Sequence, residues 1–477
     1  RSGYSDGSFR WALGGKAMTW ESDKDGYRSH GSWGAEGDIY IMFFDAKAMT
    51  EFFRDKEGTE IAKMLAGDEK KDEKKDSVKK VEKIKLDLEG REDRIFRLTR
   101  NSGRIGTHFL TEDGKKLLYI VRLESGYDLC SMDLEDKSVR VLKKGVYGFV
   151  PSPAGKNIYI STGGGISKMS VNGGESKSIS YAGEYEYKPK AEREYIFDHM
   201  WKQVKEKFYD PDLHGVDWDY YRENYRKFLP YINNDFDFAE LLSEILGELN
   251  ASHTGGRYRY SSGLSFGTLG VLYDSEYDGD GLKIKEVLPD GALSIADSEI
   301  KAGDIITSIE GKKIEAGKDW YQLLTGKAGK KIAITVKKGG KKETELFVTA
   351  GYSDNALLYR RWVKMREAKV KELSGGKIGY VHVQGMDSPS FREVYSKALG
   401  KYRTADALIV DTRHNGGGWL HDDLVTFLGG KDYVNYQPRG RFIGKDPYSK
   451  WSKPSCVLVC EDNYSDACGF PYAYKAL

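Results

Sequence analysis

Cysteine is scarce. The 477 residues hold four, Cys130, Cys456, Cys460 and Cys468. That is too sparse for a disulfide scaffold. The last three crowd together but lack the paired C-x-x-C spacing of a zinc site, with only His414 and His421 nearby, so all four read as unpaired structural thiols. Charge of one sign is lacking too. Lys+Arg is 75 and Asp+Glu 73, a formal net charge of +2, which argues against a nucleic-acid binder working through a basic field. No run reaches the roughly 18 apolar residues of a membrane span. Residues 1–3 show neither the basic nor the apolar region of a signal peptide. The chain opens and stops mid-pattern, so both ends read as truncations. No motif calls for a metal or an organic cofactor.

What is present is a succession of patterns, and at roughly 100–200 residues per domain the length leaves room for about three domains, or four if some are small. Residues 1–185 read as all-β, with short apolar segments punctuated by turns. A D-G-K phrase near 112–121 recurs loosely near 152–160, as in the blades of a β-propeller; a β-sandwich is the alternative. Residues 68–85 carry mixed charge and read as a solvated loop. Between 186 and 258 the period becomes helical: Tyr195, Ile196, His199, Met200, Val204 and Phe208 mark one helix. Tyr220, Tyr221, Tyr225 and Phe228 mark a second, and Phe238, Leu241, Leu242, Ile245 and Leu249 a third with Asp237 as its N-cap. Residues 259–352 return to strands, with a short helix expected over 292–296. Residues 353–477 alternate strand and helix, with near-continuous apolar strands at 377–383, 407–411 and 455–460, the mark of a layered α/β domain.

Four places can carry chemistry. Ser465 follows a buried strand and opens a helix, where free N–H groups and the helix dipole suit a developing oxyanion; Ser465 with Asp466 reads equally as an N-cap pair. Gly416, Gly417 and Gly418, after the strand 407–411, let backbone amides approach a ligand closely, but the loop lacks both nucleotide-binding glycine signatures. An oxyanion N–H beside Ser465 and a plain turn are its two remaining readings. Ser252 and His253 end the third helix, where an imidazole could serve a serine as base; His414 and His421 are rivals for that role. Leu269, Gly270 and Val271 resemble the turn with which peptide-recognition domains capture a chain terminus, and residues 303–314 read as the centre of a PDZ domain.

In this order the motifs resemble the tricorn core protease family over essentially the whole chain. Residues 26–44 resemble its late propeller. The motif at 250–254, the one at 413–418 and the one at 463–467 each match, with a PDZ domain between the first two. The resemblance implies a multidomain β plus α/β protein: a partial β-propeller (1–185), a small helical bundle (186–258), a PDZ domain (259–352) and the first part of a crotonase/ClpP-like α/β domain (353–477). It implies a serine peptidase acting on oligopeptides, with Ser465 as nucleophile, His253 as general base and Ser252 orienting it. One oxyanion N–H comes from Asp466 and the other from the glycine loop at Gly417. Cys468 falls inside the helix and is no nucleophile. The resemblance further implies a homo-hexamer, a cytoplasmic location (periplasmic if an N-terminal signal has been removed) and a tetrad Glu beyond residue 477; Glu461 is not assigned that role. A His without its orienting carboxylate is expected to lose on the order of 10²–10⁴-fold in rate. The reading from a different class is a catalytically silent scaffold that binds peptides through PDZ and propeller.

Overall fold

Gly114 and Gly155 occupy the same place in two successive sheets. Each donates its N–H to the residue three back, Thr111 and Ser152, at 2.9 and 2.8 Å, with left-handed φ of 69° and 65°. This turn joins the first strand of a blade to its second, so the recurring D-G-K phrase is a structural repeat. The computed structural model describes residues 3–27, 35–54, 56–65, 84, 86–124, 126–259, 263–294, 299–339 and 342–477. They form two units, one through Glu184 and one from Tyr185. The charged run 68–85, apart from Ile84, and residues 28–34 of the 26–44 stretch lie outside the described residues.

The first unit is a partial β-propeller of three four-stranded antiparallel blades, with no closed ring among the described residues. Their strands are β1 (Asp6–Ala12), β2 (Ala17–Ser22), β3 (Asp38–Phe43), β4 (Ile95–Arg97); β5 (Ile105–Leu110), β6 (Lys116–Leu123), β7 (Gly126–Asp133), β8 (Val139–Lys143); and β9 (Val146–Pro151), β10 (Asn157–Thr162), β11 (Gly165–Ser170), β12 (Lys177–Ser178). Strand β6 shows why the blades stack. Side chains alternate across a strand, and Leu117 and Tyr119 pack with Ile39, Ile41 and Phe43 of the first blade. Leu118 and Ile120 pack on the other side with Phe149, Ile158 and Ile160 of the third. Each such buried side chain contributes roughly 1.5–3 kcal/mol. Two helices that the sequence pattern did not announce, α1 (Ala46–Phe52) and α2 (Lys56–Leu65), interrupt the first blade between β3 and β4.

The second unit begins with α3 (Pro189–Lys207), α4 (Trp218–Arg226) and α5 (Asp235–Gly247) around Phe197, Trp218, Leu241 and Ile245. Trp201 and Trp218 each donate the indole N–H to the other's carbonyl, at 3.1 and 3.0 Å, which locks α3 to the start of α4. The cap of α5 is Asn234, whose Oδ1 accepts the Asp237 N–H at 2.9 Å. Asp237 sits inside the first turn: of two polar candidates, the one with extended backbone caps.

A PDZ sheet follows, in the order β13 (Val271–Tyr273), β14 (Leu282–Val287), β15 (Ile305–Ile309), β17 (Lys331–Lys338), β18 (Lys342–Thr349), with β16 (Lys312–Lys313) on β15. Its core holds Ile306, Ile309, Ile334 and Val336. Residues 291–293 form a bend and turn where a helix was expected, and 295–298 lie outside the described residues.

The last segment opens on a long helix the sequence reading missed, α6 (Asn355–Leu373), none of whose residues is fully buried. Then come β19 (Ile378–His382), α7 (Ser388–Ser396), β20 (Ala407–Asp411), α8 (His421–Leu428), a ribbon of β21 (Val434–Tyr436) and β22 (Gly444–Asp446), β23 (Ser455–Leu458) and α9 (Asp466–Ala476). Strands β19, β20 and β23 are parallel neighbours in that order. Val381, Val410, Leu424, Phe427 and Phe470 form the core between sheet and helices. Among the described residues no helix is long and apolar enough to cross a membrane.

Candidate active site

Parallel strands deliver their following loops to one sheet edge, which is where open α/β sheets build sites. The loop after β20 carries Thr412–Gly418 and the loop after β23 carries Cys460–Ser465. Asparagines tie the two together. Asn463 donates Nδ2 to the Thr412 carbonyl at 2.9 Å and accepts the Cys460 N–H at 2.9 Å. Asn415, fully buried, donates to the Val383 carbonyl at 2.8 Å, while its own carbonyl accepts the Tyr464 N–H at 3.0 Å.

Ser465 stands at the start of α9 with φ 55° and ψ −126°, a conformation that costs a non-glycine residue of order 1–3 kcal/mol and clusters at functional sites. Its hydroxyl makes no capping bond to its own helix. It lies 3.0 Å from His253 Nε2, a residue 212 positions away in sequence. His253 is held from the other side. Its Nδ1 is 2.7 Å from Ser252 Oγ, its N–H donates to the Tyr464 hydroxyl at 2.7 Å, and the Tyr464 ring packs on its imidazole with centroids 4.8 Å apart. The loop itself is folded back on α5, because Ser243 Oγ both donates to the Gly256 carbonyl and accepts the Gly256 N–H, at 2.8 and 2.9 Å. One tautomer satisfies the set: Nδ1–H donates to Ser252, whose hydroxyl donates to Tyr464 at 3.2 Å, and Nε2 accepts from Ser465. This is the state in which imidazole can take a serine proton.

The glycine loop reaches the same place. A Cβ on Gly417, whose φ is 96°, would lie 2.7 Å from both Ser465 Cβ and the Tyr464 carbonyl, and 3.2 Å from the Asp466 nitrogen. Glycine is what allows that approach. The Gly417 N–H donates to Asn415 Oδ1 at 2.8 Å, whereas the Asp466 N–H has no acceptor among the described residues. The Asp466 carboxylate turns away and caps α8. It accepts from the Leu420 and His421 N–H groups at 2.5 and 3.2 Å and from His421 Nδ1 at 2.5 Å.

Of the three candidate bases, then, His253 is bonded to Ser465, His421 to Asp466, and His414 to Asp462 at 2.8 Å. Cys468 lies within α9. Leu269 and Val271 are buried in the PDZ core, and the N–H groups of Leu269 and Gly270 have no acceptor among the described residues. No described residue pair forms a disulfide, and all four cysteines are free.

Tyr464, Asn415 and Asn463 received no role from the sequence, although each lies inside or beside a motif singled out there. Behind them is a buried pair. Asp411, wholly buried, accepts from Arg413 Nη2 at 2.6 Å, Arg413 Nε at 2.9 Å and the Tyr380 hydroxyl at 2.7 Å. Burial alone would raise its pKa, but these bonds outweigh it and hold the carboxyl below its ordinary value. His382, also buried, accepts at Nδ1 from the Tyr359 hydroxyl at 2.9 Å and donates from Nε2 to the Arg413 carbonyl at 3.0 Å. Its pKa is lowered, chiefly by desolvation.

Sequence profiles of known families match three segments: the tricorn protease C1 domain at residues 189–247, the tricorn protease PDZ domain at 267–350 and peptidase family S41 at 377–477. Tricorn protease homolog 1 of Streptomyces coelicolor is 31% identical over 300 residues, 61% of this chain and 28% of that protein. Tricorn protease of Thermoplasma volcanium is 26% identical over 363 residues, 73% of this chain and 35% of that one. The crystal structure of the tricorn protease superposes with a TM-score of 0.77 at 18% identity, covering 100% of this chain and 47% of that chain. The chain thus spans about a third of the length of these two relatives.

Proposed function

From two segments that match tricorn protease domains and a third that matches peptidase family S41, we propose that the chain is a tricorn-like core protease carrying a serine peptidase site for oligopeptides. The observation that carries the reading is the 3.0 Å approach of His253 Nε2 to the Oγ of a strained Ser465. Ser465 Oγ attacks the scissile carbonyl carbon while its proton passes to His253 Nε2. The oxyanion is stabilised by the free Asp466 N–H, while the Gly417 N–H, bonded to Asn415 Oδ1 at 2.8 Å, joins it only after leaving that acceptor. His253 then protonates the leaving amine, and the ester on Ser465 is released by water activated by the same imidazole. Ser252 fixes the tautomer. The N–H groups at Leu269, Gly270 and Val271 would receive a peptide terminus.

The division into 1–185, 186–258, 259–352 and 353–477 is part of this reading, supported by the change from blades to helices, PDZ sheet and parallel sheet along the chain. Assembly as a homo-hexamer and a cytoplasmic location rest on the family likeness alone.

A fluorophosphonate probe tests the reading, with the adduct located by peptide mass spectrometry. The expected adduct is on Ser465, absent in Ser465→Ala and strongly slowed in His253→Ala. Folded protein that takes no label, or takes it elsewhere, would turn the reading to a silent peptide-binding scaffold.

A further inference from the structure

Beside the serine loop, three chemically different donors converge. His414 Nδ1 lies 2.8 Å from Asp462 Oδ2 and 3.8 Å from Cys460 Sγ, and the three donor atoms all fall within 4.8 Å of one another. His414 and Asp462 are exposed and Cys460 is half-buried, so solvent reaches the cluster. The backbone holds the donors together: the His414 N–H points at Cys460 Sγ at 3.2 Å, and His414 adopts a left-handed φ of 64°.

We propose that His414, Cys460 and Asp462 bind one borderline-soft divalent cation, zinc first among them. Imidazole, thiolate and carboxylate together form a donor set that zinc accepts, and calcium or magnesium, which take oxygen ligands, do not. Metal bonds of about 2.0 Å to nitrogen and 2.3 Å to sulfur at a tetrahedral angle set those ligands about 3.5 Å apart, and nitrogen and oxygen about 3.3 Å apart. The observed separations of 3.8 and 2.8 Å need adjustments of roughly half an ångström or less, and the Cys460 sulfur and Asp462 carboxylate, within 4.8 Å of each other, must close to about 3.5 Å. On binding, the Cys460 thiol releases its proton to solvent, and the imidazole proton now shared with Asp462 moves to Nε2. Affinity therefore rises with pH. Three protein ligands leave a fourth position for water.

Cysteine spacing hides this site because the donors come from two loops, His414 after β20 and the other two after β23. An occupied site links the loop of Gly417 to the loop of Ser465. The inference does not depend on the peptidase reading, and its test reads binding alone.

Cobalt(II) is the probe. The protein is expected to take up one equivalent with a thiolate-to-cobalt charge-transfer band that zinc abolishes. Cys460→Ser loses the band, Cys456→Ser and Cys468→Ser keep it, and His414→Ala, an exposed change that leaves the circular dichroism unaltered, weakens zinc at least about 10-fold. No band in folded protein, a band that survives Cys460→Ser, or one lost with Cys468→Ser instead would overturn the proposal.

Discussion

The Tyr464 hydroxyl accepts the backbone N–H of His253 at 2.7 Å. The residue immediately before the serine thus helps set the position of the imidazole that faces it. Tyr464→Phe keeps the ring contact but removes this acceptor and the 3.2 Å partner of Ser252. A bond worth about 0.5–1.5 kcal/mol corresponds to roughly a 2- to 13-fold fall in peptide turnover. On the peptidase reading that loss should appear in kcat with KM nearly unchanged, measured with a fluorogenic oligopeptide.

Gly417→Ala should be more damaging than its size implies. The new methyl would meet Ser465 Cβ and the Tyr464 carbonyl at 2.7 Å, on a backbone with φ 96°. Either the serine or the loop must shift, and a displacement of about 1 Å costs on the order of 100-fold. Fluorophosphonate labelling should slow by that order while the thermal unfolding of the α/β domain shows the protein still folded.

Arg413→Ala would leave the Asp411 carboxylate buried with only neutral partners, the Tyr380 hydroxyl and the backbone N–H of residue 413. Because the Arg413 side chain is itself about a third exposed, the expected loss is roughly 3 kcal/mol, the low end for stranding a buried charge. Urea unfolding measures it, and the double variant Arg413→Ala, Asp411→Asn should recover much of the loss.

The lowered pKa of His382 has a signed consequence. Its folded value lies below its ordinary 6.5, so the unfolded chain binds the proton more readily than the folded one. Its contribution is fully present above pH 6.5 and is lost as pH falls from there through the folded value. Arg413, Asp411 and His414 are the charged or titratable neighbours that bear on it. Urea midpoints should fall more steeply with acid in the parent than in His382→Gln, where that proton has no site; equal slopes would refute the assignment.

How far the chain could be read in advance varied with the physics of each segment. Blades were legible because Gly114 and Gly155 must take left-handed turns, and only a short list of residues does so readily. Helix α6 was not. Arg360, Arg361, Lys364, Arg366 and Lys369 break its apolar stripe, and nothing on it is fully buried, so the periodic signal is faint although Tyr359 reaches His382. The cap of α5 was displaced by three residues because Asn234 and Asp237 are both good caps and only backbone geometry chooses between them. At the site, Ser465, His253 and the glycine loop stood out by motif order. Asn415 and Tyr464 did not, since their roles consist of bonds to loops distant in sequence. The His414, Cys460 and Asp462 cluster is of the same kind.

The 212-residue separation of His253 from Ser465 also governs the order in which the two become available. On the peptidase reading, a ribosome presents the base, then a whole PDZ domain, and only much later the nucleophile. A chain interrupted anywhere between them holds half of the machinery and cuts nothing. The base and nucleophile meet in one step, when the loop of Ser465 reaches His253, so on this reading the spacing acts as a safeguard during synthesis.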